Sequence, residues 1–164
     1  MGEDAGARNV EIVKAIHRAF QEAGAETVRA ALIGAQTFDE VAERLPEYAE
    51  VSAVIHPDVM VDTRGRGGPL GHGGAWRGLD EWIEFWSDWL EPWEDFDFET
   101  SRFEAVGEHV LMDISIRGRG RESGAPVEWT QTQVWTLRDG KVVGLRPGFE
   151  TRAAAVRAIE AEGG

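Results

Sequence analysis

The sequence contains no cysteine, which excludes several kinds of site at once. Disulfide bridges, zinc centres with thiolate ligands and thiol nucleophiles all depend on that side chain. Long apolar runs are missing as well: nothing approaches the roughly 18 residues of a membrane-spanning helix, and no signal-peptide core is visible. We therefore expect a cytoplasmic protein that does not enter a membrane.

Basic residues are scarce beside acidic ones. The chain has 17 lysines and arginines against 30 aspartates and glutamates, which gives a formal net charge of −13 at pH 7. Such a charge repels nucleic acids and anionic membrane surfaces, so neither is expected as the main partner. Tyrosine is also rare, with one residue against seven tryptophans, and indole rings suit both cores and pocket walls.

The 164 residues are enough for one sizeable hydrophobic core. We predict a single domain over residues 9–164, preceded by a disordered N-terminal segment at residues 1–8. The first part of the domain shows apolar residues at helical spacing. Thr37 and Glu40 have the spacing of a capping box, which predicts the start of one helix. The apolar face of the first helix consists of Val10, Val13, Ile16, His17 and Phe20.

The second half of the chain is dominated by strands. His56-Pro57-Asp58 predicts a turn, and a short strand follows from Val59 to Thr63. A helix with an aromatic stripe is predicted from Leu79 to Glu91, and antiparallel strands follow it. Helices that precede such a run of strands indicate an α+β fold. We predict a curved antiparallel sheet wrapped around the N-terminal and central helices, forming a cone with an internal pocket.

The clearest hairpin signal is Asp139-Gly140, which joins two strand-forming stretches. Both residues tolerate positive φ, which a tight hairpin turn requires. Side chains alternate across a strand, so every second residue before this turn lies on one face. That face consists of Trp129, Gln131, Gln133, Trp135 and Leu137.

Two amides in the middle of this apolar face need an explanation. An unpaired buried amide costs on the order of 1–3 kcal/mol, so a plain core strand has no reason to contain Gln131 and Gln133. We interpret the face as a cavity wall that offers hydrogen bonds to a small ligand. The alternative is that the glutamines face solvent and the opposite face packs inward, namely Thr130, Thr132, Val134 and Thr136.

Four segments of the sequence carry a family resemblance. They are His56-Pro57-Asp58-Val59, Trp76-Arg77-Gly78, Arg119-Gly120-Arg121-Glu122-Ser123-Gly124 and Leu137-Arg138-Asp139-Gly140-Lys141-Val142. Together they resemble the nuclear-transport-factor-2-like superfamily, and within it the SnoaL-like group of polyketide cyclases and ketosteroid isomerases. The resemblance implies a cone-shaped α+β fold. It does not select a reaction, because this superfamily contains isomerases, cyclases, dehydratases, hydrolases and non-enzymes.

The resemblance also implies catalytic residues by position. Ketosteroid isomerase uses an aspartate base and an oxyanion hole made of a tyrosine and a protonated aspartate. The base lies at the end of the first strand, which corresponds to Asp62. The two oxyanion donors correspond to His17 and Gln133, and both of these side chains can donate a hydrogen bond. In the structural alternatives, Asp62 caps the loop from Arg64 to Gly68 or pairs with Arg64, and His17 is a core histidine.

Other residues are expected to contact the ligand from the pocket wall or from the glycine-rich loop. No spacing typical of a metal site is found, and we expect neither a metal nor a cofactor. In the alternative, the tryptophans of the aromatic helix serve the core and contribute to stability alone. The expected ligand contacts are Gln131, Trp86, Trp89, Trp129, Trp135, His72 and Met112.

The function expected from these features is cofactor-free isomerase or cyclase chemistry. Asp62 would remove a proton next to a carbonyl group, while His17 and Gln133 stabilise the enolate oxygen. The substrate is expected to be a small hydrophobic carbonyl compound, polyketide- or steroid-like. The alternative is a non-catalytic module that binds a hydrophobic small molecule. In both cases we expect a homodimer formed through the outer face of the sheet.

Overall fold

The computed structural model describes residues 2–64 and 74–163 of the chain. This described part contains six helices and six strands, and the predicted α+β class is confirmed. In chain order the elements are α1 (Gly2–Ala23), α2 (Ala25–Leu32), α3 (Phe38–Arg44), α4 (Glu47–Ser52), β1 (Ile55–Asp62), β2 (Ala75–Arg77), α5 (Leu79–Leu90), β3 (Trp93–Val106), β4 (His109–Gly120), β5 (Pro126–Arg138), β6 (Lys141–Phe149) and α6 (Arg152–Gly163).

The strands of the described residues form one curved, unclosed sheet in the order β2-β1-β6-β5-β4-β3. Strands β1 and β6 run parallel, and each other neighbouring pair is antiparallel. Asp95 and Arg102 of β3 have φ angles of 50° and 55°, and they lie where the register with β4 shifts. Bulges of this kind bend a strand and increase its twist, so they contribute to the curvature that forms the cone.

The predicted hairpin between β5 and β6 is confirmed. Arg138 and Lys141 are ladder partners, and the two residues between them form the turn. Asp139 and Gly140 have φ angles of 53° and 77°. Two successive positive angles match the twist of the flanking strands, which explains the Asp-Gly sequence at this position. The capping box is confirmed as well, because the Thr37 hydroxyl accepts a hydrogen bond from the Glu40 N–H at 3.2 Å.

Helix α1 begins at Gly2, whereas the sequence analysis predicts disorder at residues 1–8 and a helix from Asn9. The first turns pack against the sheet. A Cβ atom added at Gly6 would lie 3.0 Å from the Cβ atom of Ala105 in β3, so a side chain at residue 6 would crowd this close approach. The extra helical turns therefore depend on a tertiary contact, which the local sequence pattern does not reveal.

Strand β1 begins at Ile55 and includes the segment that the sequence analysis predicts as a turn. Its register with β6 shifts between Ile55 and Met60, so Pro57 lies in an irregular part of the ladder. A proline has no N–H to donate, and an irregular stretch tolerates that loss. The Asp58 N–H bonds locally instead, to Nδ1 of His56 at 2.9 Å.

The two faces of the sheet are covered by different helices. Helices α1 to α5 lie on the inner face and share with it the main hydrophobic core. Helix α6 lies on the outer face, where a smaller apolar cluster joins it to the sheet through Leu111, Val134, Phe149 and Ala155. None of the helices in the described ranges combines the length and the apolar character needed to cross a membrane.

Candidate active site

A cavity lies between the helices and the inner face of the sheet. Helices α1, α2, α4 and α5 and strands β3 to β6 all contribute to its wall. Its volume, counted over positions open to the centre of a water molecule, is about 70 Å³. One water molecule needs roughly 10–15 Å³ of such space, and an engineered cavity that binds benzene measures roughly 150 Å³, so this volume fits a few water molecules and a bicyclic ligand requires the wall side chains to move apart. Much of the wall is aromatic and includes Phe20, Phe85, Trp86, Trp89, Phe96 and Phe98.

His17 of α1 is the one ionisable nitrogen base among the lining residues described. Its side chain is 5% exposed, and Nδ1 lies 2.8 Å from the carbonyl oxygen of Val13, one helical turn earlier. A carbonyl oxygen can only accept, so Nδ1 carries the proton and Nε2 carries a lone pair. Burial lowers the pKa of His17 to about 4, and the bond to Val13 opposes part of that effect.

The state of His17 changes the role that the resemblance implies for it. With a pKa of about 4, the ring is uncharged at neutral pH, and its N–H is already used by Val13. The ring packs edge-on against Trp135, with centroids 5.1 Å apart. Nε2 has no hydrogen-bond partner within the described residues. His17 can therefore accept a hydrogen bond or a proton, but it is not placed to donate to an oxyanion.

Tyr48 of α4 is a cavity residue that the sequence analysis does not identify. Its side chain is 1% exposed, and its oxygen accepts a hydrogen bond from Trp82 Nε1 at 2.8 Å. An indole N–H can only donate, so the phenol O–H of Tyr48 is left for another partner. Burial raises the pKa of the Tyr48 phenol above its usual range, and the Trp82 bond only partly opposes this, so the phenol stays protonated.

The two predicted glutamines also line the cavity. Oε1 of Gln133 accepts from Trp135 Nε1 at 3.1 Å, and Oε1 of Gln131 accepts from the backbone N–H of Gly148. Both partners can only donate, so the orientation of each amide follows from chemistry. The NH₂ group of each glutamine has no partner in the described ranges. The structure therefore places the glutamine face of β5 inward, as the sequence analysis favours.

These four side chains give the otherwise apolar cavity three hydrogen-bond donors and one hydrogen-bond acceptor. The O–H of Tyr48 and the NH₂ groups of Gln131 and Gln133 are donors, while Nε2 of His17 is an acceptor. No charged residue is found among the described residues of the wall. The arrangement can bind an oxygen atom of a ligand and can take up one proton from it.

Asp62 lies elsewhere. Its two carboxylate oxygens accept from Nε and Nη2 of Arg64 at 3.0 and 2.9 Å, and the Arg64 backbone N–H bonds to the same carboxylate. It is not among the residues that line the cavity in the described part of the chain. His17 and Gln133 are thus brought together, but Asp62 does not join them. The pairing with Arg64, one of the two structural alternatives for this residue, is confirmed, whereas residues 65–68 of the other alternative lie outside the described residues.

The remaining predicted ligand contacts divide into three groups. Met112 is fully buried in the core, and Trp129 packs against Trp93 with ring centroids 5.2 Å apart; neither lines the cavity in the described ranges. His72 lies outside the described residues. The predicted residues that do line the cavity are Gln131, Trp86, Trp89 and Trp135.

A metal centre finds no support in the described ranges. Across residues 2–64 and 74–163, no three histidine, aspartate or glutamate side chains converge in the way that metal ligands must. The polar atoms of the cavity are mainly hydrogen-bond donors, which do not coordinate cations.

Comparison with known proteins shows the family to which the chain belongs. A family model described as the SnoaL-like domain matches residues 34–145. This range contains Tyr48, Gln131 and Gln133, whereas His17 precedes it. No curated protein sequence matches the chain.

Solved structures show the same fold at low sequence identity. An NTF2-like protein of unknown function from Burkholderia pseudomallei K96243 is 22% identical, with a TM-score of 0.54 over 74% of this chain and 90% of that one. A protein described as a SnoaL-like polyketide cyclase from Jannaschia sp. CCS1 is 18% identical, with a TM-score of 0.60 over 96% of this chain and 94% of that one. An LEH-like epoxide hydrolase from M. tuberculosis is 16% identical, with a TM-score of 0.53 over 95% of each chain.

Proposed function

The chain belongs to the SnoaL-like family, as its motifs predict, and on that basis we propose that it is a cofactor-independent acid–base enzyme. The proposed reaction is isomerisation or cyclisation of a small hydrophobic carbonyl compound, polyketide- or steroid-like. Family membership alone does not select this reaction, because a cyclase-like protein and an epoxide hydrolase share the fold. The observation that carries the proposal is a proton acceptor, Nε2 of His17, beside three fixed donors in an uncharged cavity.

His17 is the proposed general base. Nε2 removes a proton from the carbon next to the ligand's carbonyl group; the electron pair of the broken C–H bond forms the C=C bond of the enolate, and the π pair of the carbonyl group moves onto its oxygen. The bond from Nδ1 to Val13 keeps the ring in the correct tautomer and stabilises the imidazolium that forms. Return of the proton to another carbon gives an isomer. Alternatively, the enolate carbon attacks a second carbonyl group and closes a ring; the π pair of that carbonyl group moves onto its oxygen, and the alkoxide takes the proton back from His17.

Tyr48, Gln131 and Gln133 are the proposed donors to the enolate oxygen. Charge develops on that oxygen in the transition state, and donors fixed beforehand need no reorganisation when it appears. The surrounding wall is mostly apolar and contains no ion among its described residues, and a hydrogen bond is stronger in such surroundings than in bulk water. A base with a pKa of about 4 is weak towards a carbon acid, so this stabilisation of the product enolate is an essential part of the proposed mechanism.

The proposal assigns the base to His17 instead of Asp62. The Asp62 carboxylate is engaged by the Arg64 guanidinium and backbone, and it does not belong to the described cavity wall. A carboxylate in such an ion pair would have to break two hydrogen bonds before it could reach a ligand. His17 needs no such rearrangement.

Hydrogen–deuterium exchange at the carbon next to a carbonyl group tests this assignment. With 1-tetralone as probe in D₂O, we expect the protein to accelerate exchange at C2 above the buffer rate, followed by NMR. His17→Gln should lower the protein-dependent rate by about 10²–10⁴-fold, the usual contribution of a general base. Asp62→Asn is the matched control and should stay within about threefold of the native rate, because its carboxylate is outside the cavity. Equal exchange by the native protein and His17→Gln would remove His17 from the mechanism.

A binding module without catalysis is the second candidate. The observation that favours it is the strongly lowered pKa of His17, since a ring that resists protonation also serves well as a plain hydrogen-bond acceptor. This candidate predicts that 1-tetralone binds, as detected by thermal shift, but exchanges no faster than in buffer. Acceleration of exchange that depends on His17 would exclude it.

We also propose that the protein forms a homodimer through the outer face of the sheet. Helix α6 covers part of that face through Leu111 and Val134, so the proposed contact uses the part beyond the helix. Ser115 and Thr130 lie there, with their hydroxyl oxygens 3.3 Å apart. Light scattering after size exclusion should give a mass of two chains, and Thr130→Arg should give a monomer. A native monomer at micromolar concentration would refute this contact.

A further inference from the structure

The orientation of two hydrogen-bond donors in the cavity depends on two indole side chains, Trp82 and Trp135, of which Trp135 also lines the cavity. Trp82 and Trp135 are each 1% exposed, and each gives its indole N–H to an oxygen of a cavity residue. Trp82 bonds to Tyr48, and Trp135 bonds to Gln133. Because an indole N–H has no acceptor lone pair, it fixes which end of each partner faces away from the ligand.

We propose that Trp82 and Trp135 are positioning residues that turn the donors of Tyr48 and Gln133 towards the ligand, and that the cavity thereby selects an uncharged compound with a carbonyl-type oxygen. This inference deepens the proposed function, because it names the chemistry of the ligand for the same cavity. It concerns binding, so it can be tested without turnover.

The need for positioning follows from the chemistry of the two partners. A primary amide can rotate by half a turn and present either its oxygen or its NH₂ group, and a phenol O–H can rotate about its C–O bond. Without the indoles, both groups would pair with a ligand donor as readily as with a ligand acceptor. The bonds at 2.8 and 3.1 Å remove that freedom in advance, which lowers the entropic cost of binding an acceptor oxygen.

The selection against charge follows from what surrounds the donors. The described wall contains no arginine, lysine, aspartate or glutamate, so a buried carboxylate or ammonium group would find no ion partner. The faces of the aromatic rings carry negative partial charge, and the formal net charge of −13 disfavours anions further. An uncharged ketone avoids these penalties and still accepts from Tyr48 and Gln133.

A series of ligands with one carbon skeleton tests the selection. The probes are tetralin, 1-tetralone and 1,2,3,4-tetrahydro-1-naphthoate, with Kd measured from quenching of tryptophan fluorescence. We expect 1-tetralone to bind about tenfold more tightly than tetralin, since one or two hydrogen bonds contribute about that factor. The carboxylate should bind no more tightly than tetralin. Equal affinity of tetralin and 1-tetralone, or tightest binding of the carboxylate, would overturn the inference.

The positioning role is tested by the ratio of the tetralin Kd to the 1-tetralone Kd. Trp82→Phe and Trp135→Phe remove the indole N–H, and we expect the ratio to fall from about ten to about two or three. Trp86→Phe is the matched control, since Trp86 lines the cavity and its indole N–H bonds to no described residue. It should weaken both probes together and keep the ratio. An unchanged ratio in Trp82→Phe and Trp135→Phe would refute the positioning role.

A buried tryptophan variant that fails to fold would also change the measured Kd values, so folding is checked separately. Near-ultraviolet circular dichroism checks the fold of each variant, and Tyr48→Phe removes the donor itself while Trp82 remains. We expect the same fall in the ratio for Tyr48→Phe, and a ratio like the native one would count against the inference. His17→Gln separates the two proposals: the ratio should persist while exchange is lost. Selectivity without exchange rejects the enzyme only, and exchange without selectivity rejects the inference only.

Discussion

Residues 131 to 133 of β5 carry polar side chains on both faces of the strand, and the two faces differ in the partners that these side chains bond. On the outer face, Thr132 donates to Asp113 at 2.9 Å, and Asp113 also pairs with Arg152 at 3.2 Å and Arg102 at 3.4 Å. On the inner face, Gln131 and Gln133 use only their oxygens within the described structure. Thr132 and the two glutamines are buried, Asp113 and Arg152 are half-buried and Arg102 is exposed; the outer set contains ions that pair with each other, whereas the inner set contains no ions.

This difference distinguishes the outer ion cluster, which is structural, from the inner cavity, which is the candidate site. Arg152 stands at the start of α6, so its pairs with Asp113 and Glu104 fasten that helix to the sheet. The Asp113 carboxylate is shared by Thr132, Arg102 and Arg152, so its charge is neutralised within the cluster, although Nε of Arg152 is a buried donor without a partner in the described ranges. The inner donors have the opposite character, because their acceptors are used and their hydrogens are not. The cavity rather than the ion cluster is therefore the place to look for function.

Substitution of neighbouring residues on the two faces should give the largest contrast. We expect Gln133→Leu to lower the exchange rate of 1-tetralone by about 10²-fold, the effect of removing one oxyanion donor. Thr132→Val, one residue away on the outer face, should leave that rate within about twofold, because it touches the ion cluster and not the cavity. NMR of the exchanging C2 protons checks both. Similar losses in the two variants would erase the functional distinction between the faces.

The dependence of stability on acid pH tests whether His17, on the inner face, is buried as an uncharged ring. The folded pKa of His17 is about 4, so between the ordinary value near 6.5 and about 4 the unfolded chain binds the proton and the folded chain does not. Stability should therefore fall as pH decreases through this window, by roughly 3 kcal/mol at about 1.4 kcal/mol per pKa unit. Urea unfolding from pH 7 to 4 should show a shallower fall for His17→Gln. His56→Gln should behave like the native chain, and a native-like slope in His17→Gln would contradict the buried neutral ring.

Breaking the outer ion cluster should affect stability and spare the cavity. Asp113→Ala removes the carboxylate that Thr132, Arg102 and Arg152 share, and leaves Arg152, whose side chain is 19% exposed, with Glu104 as its remaining described carboxylate partner. We expect a loss of about 2 kcal/mol of unfolding free energy, less than for a fully buried pair. The control is Asp97→Ala, whose pair with Arg117 is well exposed and should contribute at most about 1 kcal/mol. Urea unfolding measures both, and a change in 1-tetralone affinity in Asp113→Ala would argue against the separation of the faces.

The smallest effect is expected at the far end of α6. Glu162 pairs with Arg146 at 3.4 Å and with His109 at 3.2 Å, but its side chain is 54% exposed. Glu162→Gln should therefore cost at most about 1 kcal/mol, and added salt should remove part of that. Thermal unfolding at low and high ionic strength checks this expectation. A loss as large as that of Asp113→Ala would mean that α6 is held along its whole length rather than at its start.

Much of the fold could be predicted because its signals are local. Asp139-Gly140 specifies a turn by its tolerance of positive φ, and Thr37 specifies a helix start by its hydroxyl. Strand alternation placed Gln131 and Gln133 on one face with Trp135, which is how two of the cavity's donors were found from the sequence. The errors arose where distant contacts decided, as at Pro57, which lies within β1 instead of a turn.

The site was predictable only in part. Positional resemblance led to His17 correctly as a cavity residue, but not to its tautomer, which Val13 determines. Tyr48 gave no sequence signal beyond being the one tyrosine, and its role depends on Trp82, 34 residues away. Asp62 had the expected place at a strand end, yet its side chain pairs with Arg64. A strand end specifies where a residue lies, and not which of its neighbours it bonds.

The sequence by itself determined the α+β class, the hairpin, the apolar helix faces and the amides on an apolar wall. These depend on periodicity and turn chemistry, which act over a few residues. The tertiary structure alone decided that Tyr48 joins the cavity, that Asp62 is not among its described lining residues, and which atom of each polar group is left without a protein partner. The physical reason is that hydrogen-bond orientation is set by partners, and here two of those partners are indoles brought into place by packing.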